Sequence, residues 1–265
     1  MSNFSKSDAA PASDEESGGV ARLANQALSV LASRKGGTLP ALHDHYIGQL
    51  TDAAKATDPS DVMTIRDRML ADGIEPIDIS DVYIPAAARL LGEAWCSDEA
   101  SFATVTIGAS RLQGLLRTLG TEWSSSDLSR SDAPASLILL AKEAYHTLGA
   151  VILAGQLRRR GLAVRLIIGL ELEELERLLE AARYDVVMIS ASTSERLEPL
   201  STLVHKIKKR ANPPPVVIGG TVLEQKVDVK TLTGADCATS DLDEALKYCG
   251  LTDYLAKPAH QAGQR

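Results

Sequence analysis

The chain has 265 residues and a formal charge of −7 at pH 7, a balance that excludes the broad basic face needed to displace counterions from nucleic acid. Only 4% of residues are aromatic, so cores of Leu, Val, Ile and Ala are expected, with room for two small domains. No apolar run reaches the roughly 20 residues of a bilayer span, the polar N-terminus lacks the regions of a signal peptide, and Cys96, Cys237 and Cys249 show no C-x-x-C spacing, so a cytoplasmic protein in a reducing compartment is expected.

Residues 1–19 are rich in Ser, Ala, Asp and Glu and end in Ser17-Gly18-Gly19; they bury too little apolar surface to offset chain entropy and read as a disordered acidic tail. Apolar residues recur at helical spacing from Val20 to Leu31, and a second helix is predicted from about Pro40 to Lys55. Asp58-Pro59-Ser60-Asp61 is a helix-start signal for a third, which reaches Asp72-Gly73. Val82-Tyr83-Ile84-Pro85 leads into helices over Ala86 to Trp95 and Ser101 to Leu119. Residues 20–123 thus read as a bundle of four or five helices without a strand.

The polar, Pro-ended stretch from Ser124 to Pro134 is a linker signal, and beyond it strands alternate with helices. Strands are predicted at Ser136 to Ala141, Ala163 to Ile168, Asp185 to Ser190 and Pro215 to Gly219, with a short fifth near Gly234 to Ala238. Helices are predicted at Thr147 to Arg160, Glu171 to Ala182, Glu195 to Arg210 and Asp241 to Tyr248. Continuous apolar strands joined by helices indicate a parallel sheet covered on both faces, here over 134–255. Two basic clusters, Arg158 to Arg160 and Lys206 with Lys208 to Arg210, read as solvated helix faces, with a docking patch as the alternative.

Ligands of such sheets bind beyond the C-terminal strand ends, at the switch point of strand order. There the sequence places His146, Thr147, Leu148 and Gly149 after the first strand, Ser190, Ser192 and Thr193 after the third, and Gly219, Gly220 and Thr221 after the fourth. Neutral imidazole is a common metal ligand, paired glycines let backbone approach a ligand closely, and small hydroxyls line a slot without filling it. Together they suit something large and flat, or a long tail. His43, His45, His205 and His260 lack metal-ligand context and read as surface or core residues.

The pattern H-x-x-G at His146 to Gly149, then Ser190-x-Ser192, then Gly219-Gly220, with forty residues between Gly149 and Ser190 and twenty-six between Ser192 and Gly219, resembles the cobalamin-binding module of methionine synthase and related mutases. The resemblance implies a Rossmann-like (flavodoxin-like) fold in which His146 ligates the cobalt from below. Ser190 and Ser192 would line the slot for the displaced dimethylbenzimidazole tail, Gly219 and Gly220 would pass close to it, and Gly149 would open the helix start. The family's acid two residues before the histidine is replaced by Ala144. Such carboxylates fix the ring tautomer and raise ligand basicity, so its loss implies a weaker, more adjustable ligand that suits a sensor rather than an enzyme; Glu143 occupies the neighbouring position.

The stretch Val82 to Trp95, followed by Phe102 and Arg111-Leu112-Gln113, looks like the helical cap that precedes this domain in methionine synthase and in light-sensing MerR-type repressors. It resembles most closely the AerR/PpaA photosynthesis regulators of purple bacteria. This implies a helical bundle cap before the cobalamin domain, with Trp95 and Phe102 as a lid over the upper face. A bundle-core role for Trp95 stays open, and Cys96 reads as a small buried hydrophobe rather than a group approaching cobalt. The resemblance further implies a light-responsive antirepressor that binds a repressor of CrtJ/PpsR type, without DNA binding, membrane association or catalysis of its own. Haem on the same fold, or a corrinoid carrier serving a methyltransferase, are the alternatives.

Overall fold

The computed structural model describes residues 44–121, 133–141 and 147–255. The expected tail, the helix over Val20 to Leu31, the linker up to Asp132, and Glu143, Ala144, His146, His43 and His260 lie outside the described residues.

The first described half is helical: α1 (Asp44–Lys55), α2 (Asp61–Ala71), α3 (Ile84–Cys96) and α4 (Phe102–Thr121). Its core is aliphatic, with Leu50, Met69, Ile79, Ile84, Leu91, Leu112 and Leu115 essentially inaccessible. The carbonyls left free at the end of α1 are taken by Arg111 of α4, whose guanidinium donates to Ala54 (3.0 Å), Ala56 and Thr57 (3.2 Å). The helix expected to start at Ala86 starts earlier. A helical turn (Pro76–Asp78) and a π-helical turn (Ile79–Tyr83) run straight into α3, and Pro85 is accommodated in the first turn of α3, where proline is tolerated.

The second half is a five-stranded parallel sheet in the order β2-β1-β3-β4-β5, made of β1 (Ala135–Ala141), β2 (Ala163–Leu170), β3 (Val186–Ser190), β4 (Val216–Gly219) and β5 (Cys237–Ala238). The helices are α5 (Leu148–Arg159), α6 (Leu172–Ala181), α7 (Leu197–Lys208), α8 (Val229–Thr233) and α9 (Leu242–Tyr248). Strand alternation divides the core. Leu137, Leu139, Val187, Ile189, Val216 and Ile218 pack on the α6 and α7 side. Ile138, Leu140, Val186, Met188 and Val217 pack against α5 and α9. Strand β2 runs two residues past the expected Ile168 and holds one residue more than β1 opposite it: Leu139 and Ala141 of β1 oppose Ile167 and Leu170, and Gly169 at φ 74° supplies the bulge. This bulge carries Leu170 into the core while Ile168 faces solvent.

Helix α5 joins the two halves. Ala150, Ala154 and Leu157 face the sheet, whereas Ile152 is buried in the bundle core with Leu148 and Val151 packed against it. An all-round apolar helix is a buried one. Among the described residues no helix is long and apolar enough to cross a membrane.

Candidate functional site

The chain passes from β1 to β2 on one side and returns to β3 on the other, so the switch point lies between β1 and β3. The segments after those strands, ending in Thr147 and beginning with Ala191, flank it. Ser190 and Gly219 are register partners at the adjoining ends of β3 and β4. By alternation with Val186, Met188 and Val217 they face the α5 side of the sheet. The Ser190 hydroxyl bonds to none of the described residues, and the residue is half-buried. Opposite, α5 presents Gly149, whose missing Cβ would meet no atom within 4 Å, and then Ala150 and Ala154. Small residues on the helix, with a serine and a glycine at the strand ends, put little side-chain bulk at this edge.

The other expected residues divide by what holds them. The Ser192 hydroxyl is paired with Ser194 (2.8 Å), and its N–H donates to Glu195 Oε1 (2.9 Å). Thr193 N–H donates to Thr221 Oγ1 (3.1 Å), and Thr193 Oγ1 donates to the Thr221 carbonyl (2.7 Å). The loops after β3 and β4 are therefore laced together, and Ser192, Thr193 and Thr221 act first on each other. Gly220, at φ 102°, is demanded by the same lacing, because a Cβ there would lie 2.3 Å from the Ala191 carbonyl oxygen. A Cβ on Gly219 would lie 3.0 Å from the Thr239 carbonyl. The Gly-Gly step is thus explained within the fold, whereas a Cβ on Gly149 would meet nothing, as at several other glycines of the chain.

Above this edge stands the bundle. Arg89 of α3 pairs with Glu224, in the turn that follows Gly220 (2.9 Å). Gln113 Nε2 of α4 donates to Thr147 Oγ1 (2.9 Å). Trp95 and Phe102 meet edge to face with centroids 6.2 Å apart, yet they are 46% and 70% exposed, so the bundle-core alternative for Trp95 is corrected. Ile107 of α4 is also exposed, at 52%. Cys96 is also exposed. The buried-hydrophobe reading of that residue fails because it ends α3 on the outer side. His45 lies at the surface against the Tyr46 ring.

The arginine cluster on α5 is a set of internal ties rather than a solvated face. Arg159 grips the fully buried Asp81 carboxylate through both oxygens (2.6 and 2.7 Å), Arg160 pairs with Asp243 (2.5 Å), and Arg158 donates to the Val164 carbonyl (3.2 Å). On α7, Lys206 pairs with Glu176 and Lys208 with Asp236. Sequence reading named Gln113 only as part of the cap likeness, and gave no role to Asp81, Glu195 or Arg89. Their partners lie far along the chain, and only the acid-basic composition of these stretches hinted at them. Helix α7 also starts later than expected, at Leu197, because Glu195 is spent on the Ser192 amide.

A group with a flat ring and a long tail fits the chemistry of these residues: exposed aromatic rings on one side, and on the other a small-residue edge with a serine hydroxyl that bonds to none of the described residues. Residues 136–246 match the family model of the B12 binding domain. A Rhodobacter capsulatus protein of 20.5 kDa, described as uncharacterized and encoded in the bchF-crtJ intergenic region, is 39% identical over 164 residues, 60% of this chain and 84% of the relative. The monomethylamine corrinoid protein of Methanosarcina barkeri has the same fold, with a TM-score of 0.63 at 16% identity over 79% of this chain and 99% of its own.

Proposed function

Because this chain belongs to the B12-binding-domain proteins, on the AerR-like branch with the Rhodobacter capsulatus relative, we propose that it is a cobalamin-binding, light-responsive regulator that works by binding a transcriptional repressor of CrtJ/PpsR type. The observation that carries this reading is the juxtaposition of Ser190, Gly219 and the open Gly149 edge with exposed Trp95 and Phe102 on a bundle tied to the same edge. The relative's place beside crtJ supports the repressor partner.

His146, on the segment between β1 and α5, would be the residue that holds the metal. Ser190 would meet the tail, with Gly149 on one side and Gly219 on the other, while Leu148 packs on the bundle and the Thr147 hydroxyl is engaged by Gln113. Trp95 and Phe102 would shield the upper face. When bound, cobalamin supplies a cobalt–carbon bond that light breaks. The chain's own part is to hold two arrangements of bundle and sheet that differ in affinity for the partner, since a ligand shifts such an equilibrium only by differential affinity.

Titration with cobalamins in the dark and after illumination, followed by absorption, tests the reading. Uptake with corrinoid bands is expected, and a Soret band with purified haem instead would favour haem. His146→Ala is expected to weaken uptake by about 10-fold or more, the cost typical of disturbed metal sites. Unchanged uptake would remove His146 from the role. Binding to the repressor that changes with illumination is expected for the wild type, and indifference to light and cofactor would overturn the regulator.

A further inference from the structure

Two kinds of contact join the bundle to the sheet domain. The first kind ends on α5: Leu148, Val151 and Ile152 sit against the bundle core, Arg159 grips the buried Asp81, and Gln113 donates to Thr147. The second is the pair of Arg89 on α3 with Glu224 in the turn after β4 (2.9 Å), whose side chains are 34% and 51% exposed. Elsewhere among the described residues, the hydrogen bonds and ion pairs between the two halves end on α5. The two kinds differ in strength. A guanidinium and a carboxylate out of water hold firmly, because parting them strands a buried charge. A half-exposed pair contributes little and weakens with salt, so it opens readily.

They also differ in place. Helix α5 follows β1 and Glu224 follows β4, and β3, with Ser190 at its end, runs between those two strands. Glu224 has a firm mount: Val222 is inaccessible and its N–H donates to the Ala191 carbonyl (3.2 Å), while Thr221 is laced to Thr193. Arg89 sits on the helix that carries Trp95 near its far end. The bundle is thus hinged on one side of the candidate site and only fastened on the other. We propose that Arg89 and Glu224 form a salt-sensitive clasp that sets how often the bundle parts from the sheet edge, and with it the rate at which a corrinoid enters and leaves, a role that rests on the cobalamin reading above. A rigid macrocycle cannot pass between closed surfaces, so the bundle turns on α5 and lifts from the turn after β4. A barrier shared by entry and exit changes both rates and leaves the affinity nearly as it was.

Two readouts on the full-length protein test the clasp. The first needs no cofactor: spin labels on exposed Cys96 and on Lys226→Cys, in a Cys249→Ala background, report the opening by pulsed dipolar spectroscopy. One short distance is expected with the clasp intact, and Glu224→Gln or about 1 M salt should broaden the distribution toward longer distances. The second is stopped-flow uptake and release of hydroxocobalamin in the dark. Arg89→Met and Glu224→Gln should each speed both about 2- to 5-fold at low salt, the range of an ion pair so exposed, with affinity held within about 2-fold. The difference from wild type should vanish in about 1 M salt, and Arg89→Glu combined with Glu224→Arg should restore the wild-type rates. An unchanged distance distribution, or uptake and release at wild-type rates, would overturn the clasp. Faster release with unchanged uptake would overturn it too, since that marks a contact to the bound group rather than a gate. Wild type that takes up no corrinoid would overturn the cobalamin reading and the part of the clasp in uptake, while the label distances still decide whether the pair holds the edge closed.

Discussion

Cys249 shows how a single side chain registers its surroundings. Burial, with Cys237 and Asp236 nearby, pushes its thiol up to about 11, against 9.0 for the free group. The folded state therefore keeps its proton over a range where the unfolded chain gives it up. The stabilisation is fully present below about pH 9 and is lost as pH rises from there through about 11. Replacing Cys249 by Ala should flatten the alkaline fall of the urea midpoint between about pH 9 and 11, and a fall identical to wild type would contradict this. In the same protein exposed Cys96 should react with a thiol reagent well before Cys249 does at pH 8. Ser190 and Gly219 were readable from the sequence as neighbours at adjoining strand ends, because strand alternation and strand ends are local properties. Gln113, Asp81 and Glu195 were not, since each owes its meaning to a partner brought near only by folding.

Among the elements, α5 bears the most. Its arginine cluster looked from sequence like a solvated face, but Arg159 closes on a carboxylate with no solvent access. Gly155 lies directly beneath that guanidinium. Removing one partner of a buried pair costs more than removing both, because the survivor keeps its desolvation penalty. Arg159→Met alone should therefore destabilise by about 3 kcal/mol, measurable in urea, and the double change with Asp81→Leu should cost less than the single. Equal or greater loss in the double variant would show that the pair is not the anchor. The strands of the sheet were predictable because buried parallel strands are continuous apolar runs. The π-helical turn was not, since Pro85 marks a boundary in sequence whereas the chain enters α3 before it. Nor was the bulge at Gly169, which depends on the neighbouring strand.

At the scale of the molecule, bundle and sheet share one helix and are cross-tied by Arg89–Glu224 and Gln113–Thr147. A fragment covering 133–255 would leave Leu148, Val151 and Ile152 without the bundle surface they pack on. It should bind a hydrophobic dye or self-associate on a sizing column, while the full chain does neither; a monomeric, dye-free fragment would show that the outer face of α5 needs no bundle. The two-layer architecture was visible in the change of hydrophobic period along the chain. That the layers interlock was not, because periodicity reports how a helix is greased and not by whom. The interlock also limits how such a protein diversifies. A lineage that exchanged one bundle for another by recombination at the junction around residues 122–132 would inherit an α5 carved for the previous neighbour, and would have to revise three of its side chains and an arginine before the hybrid fitted.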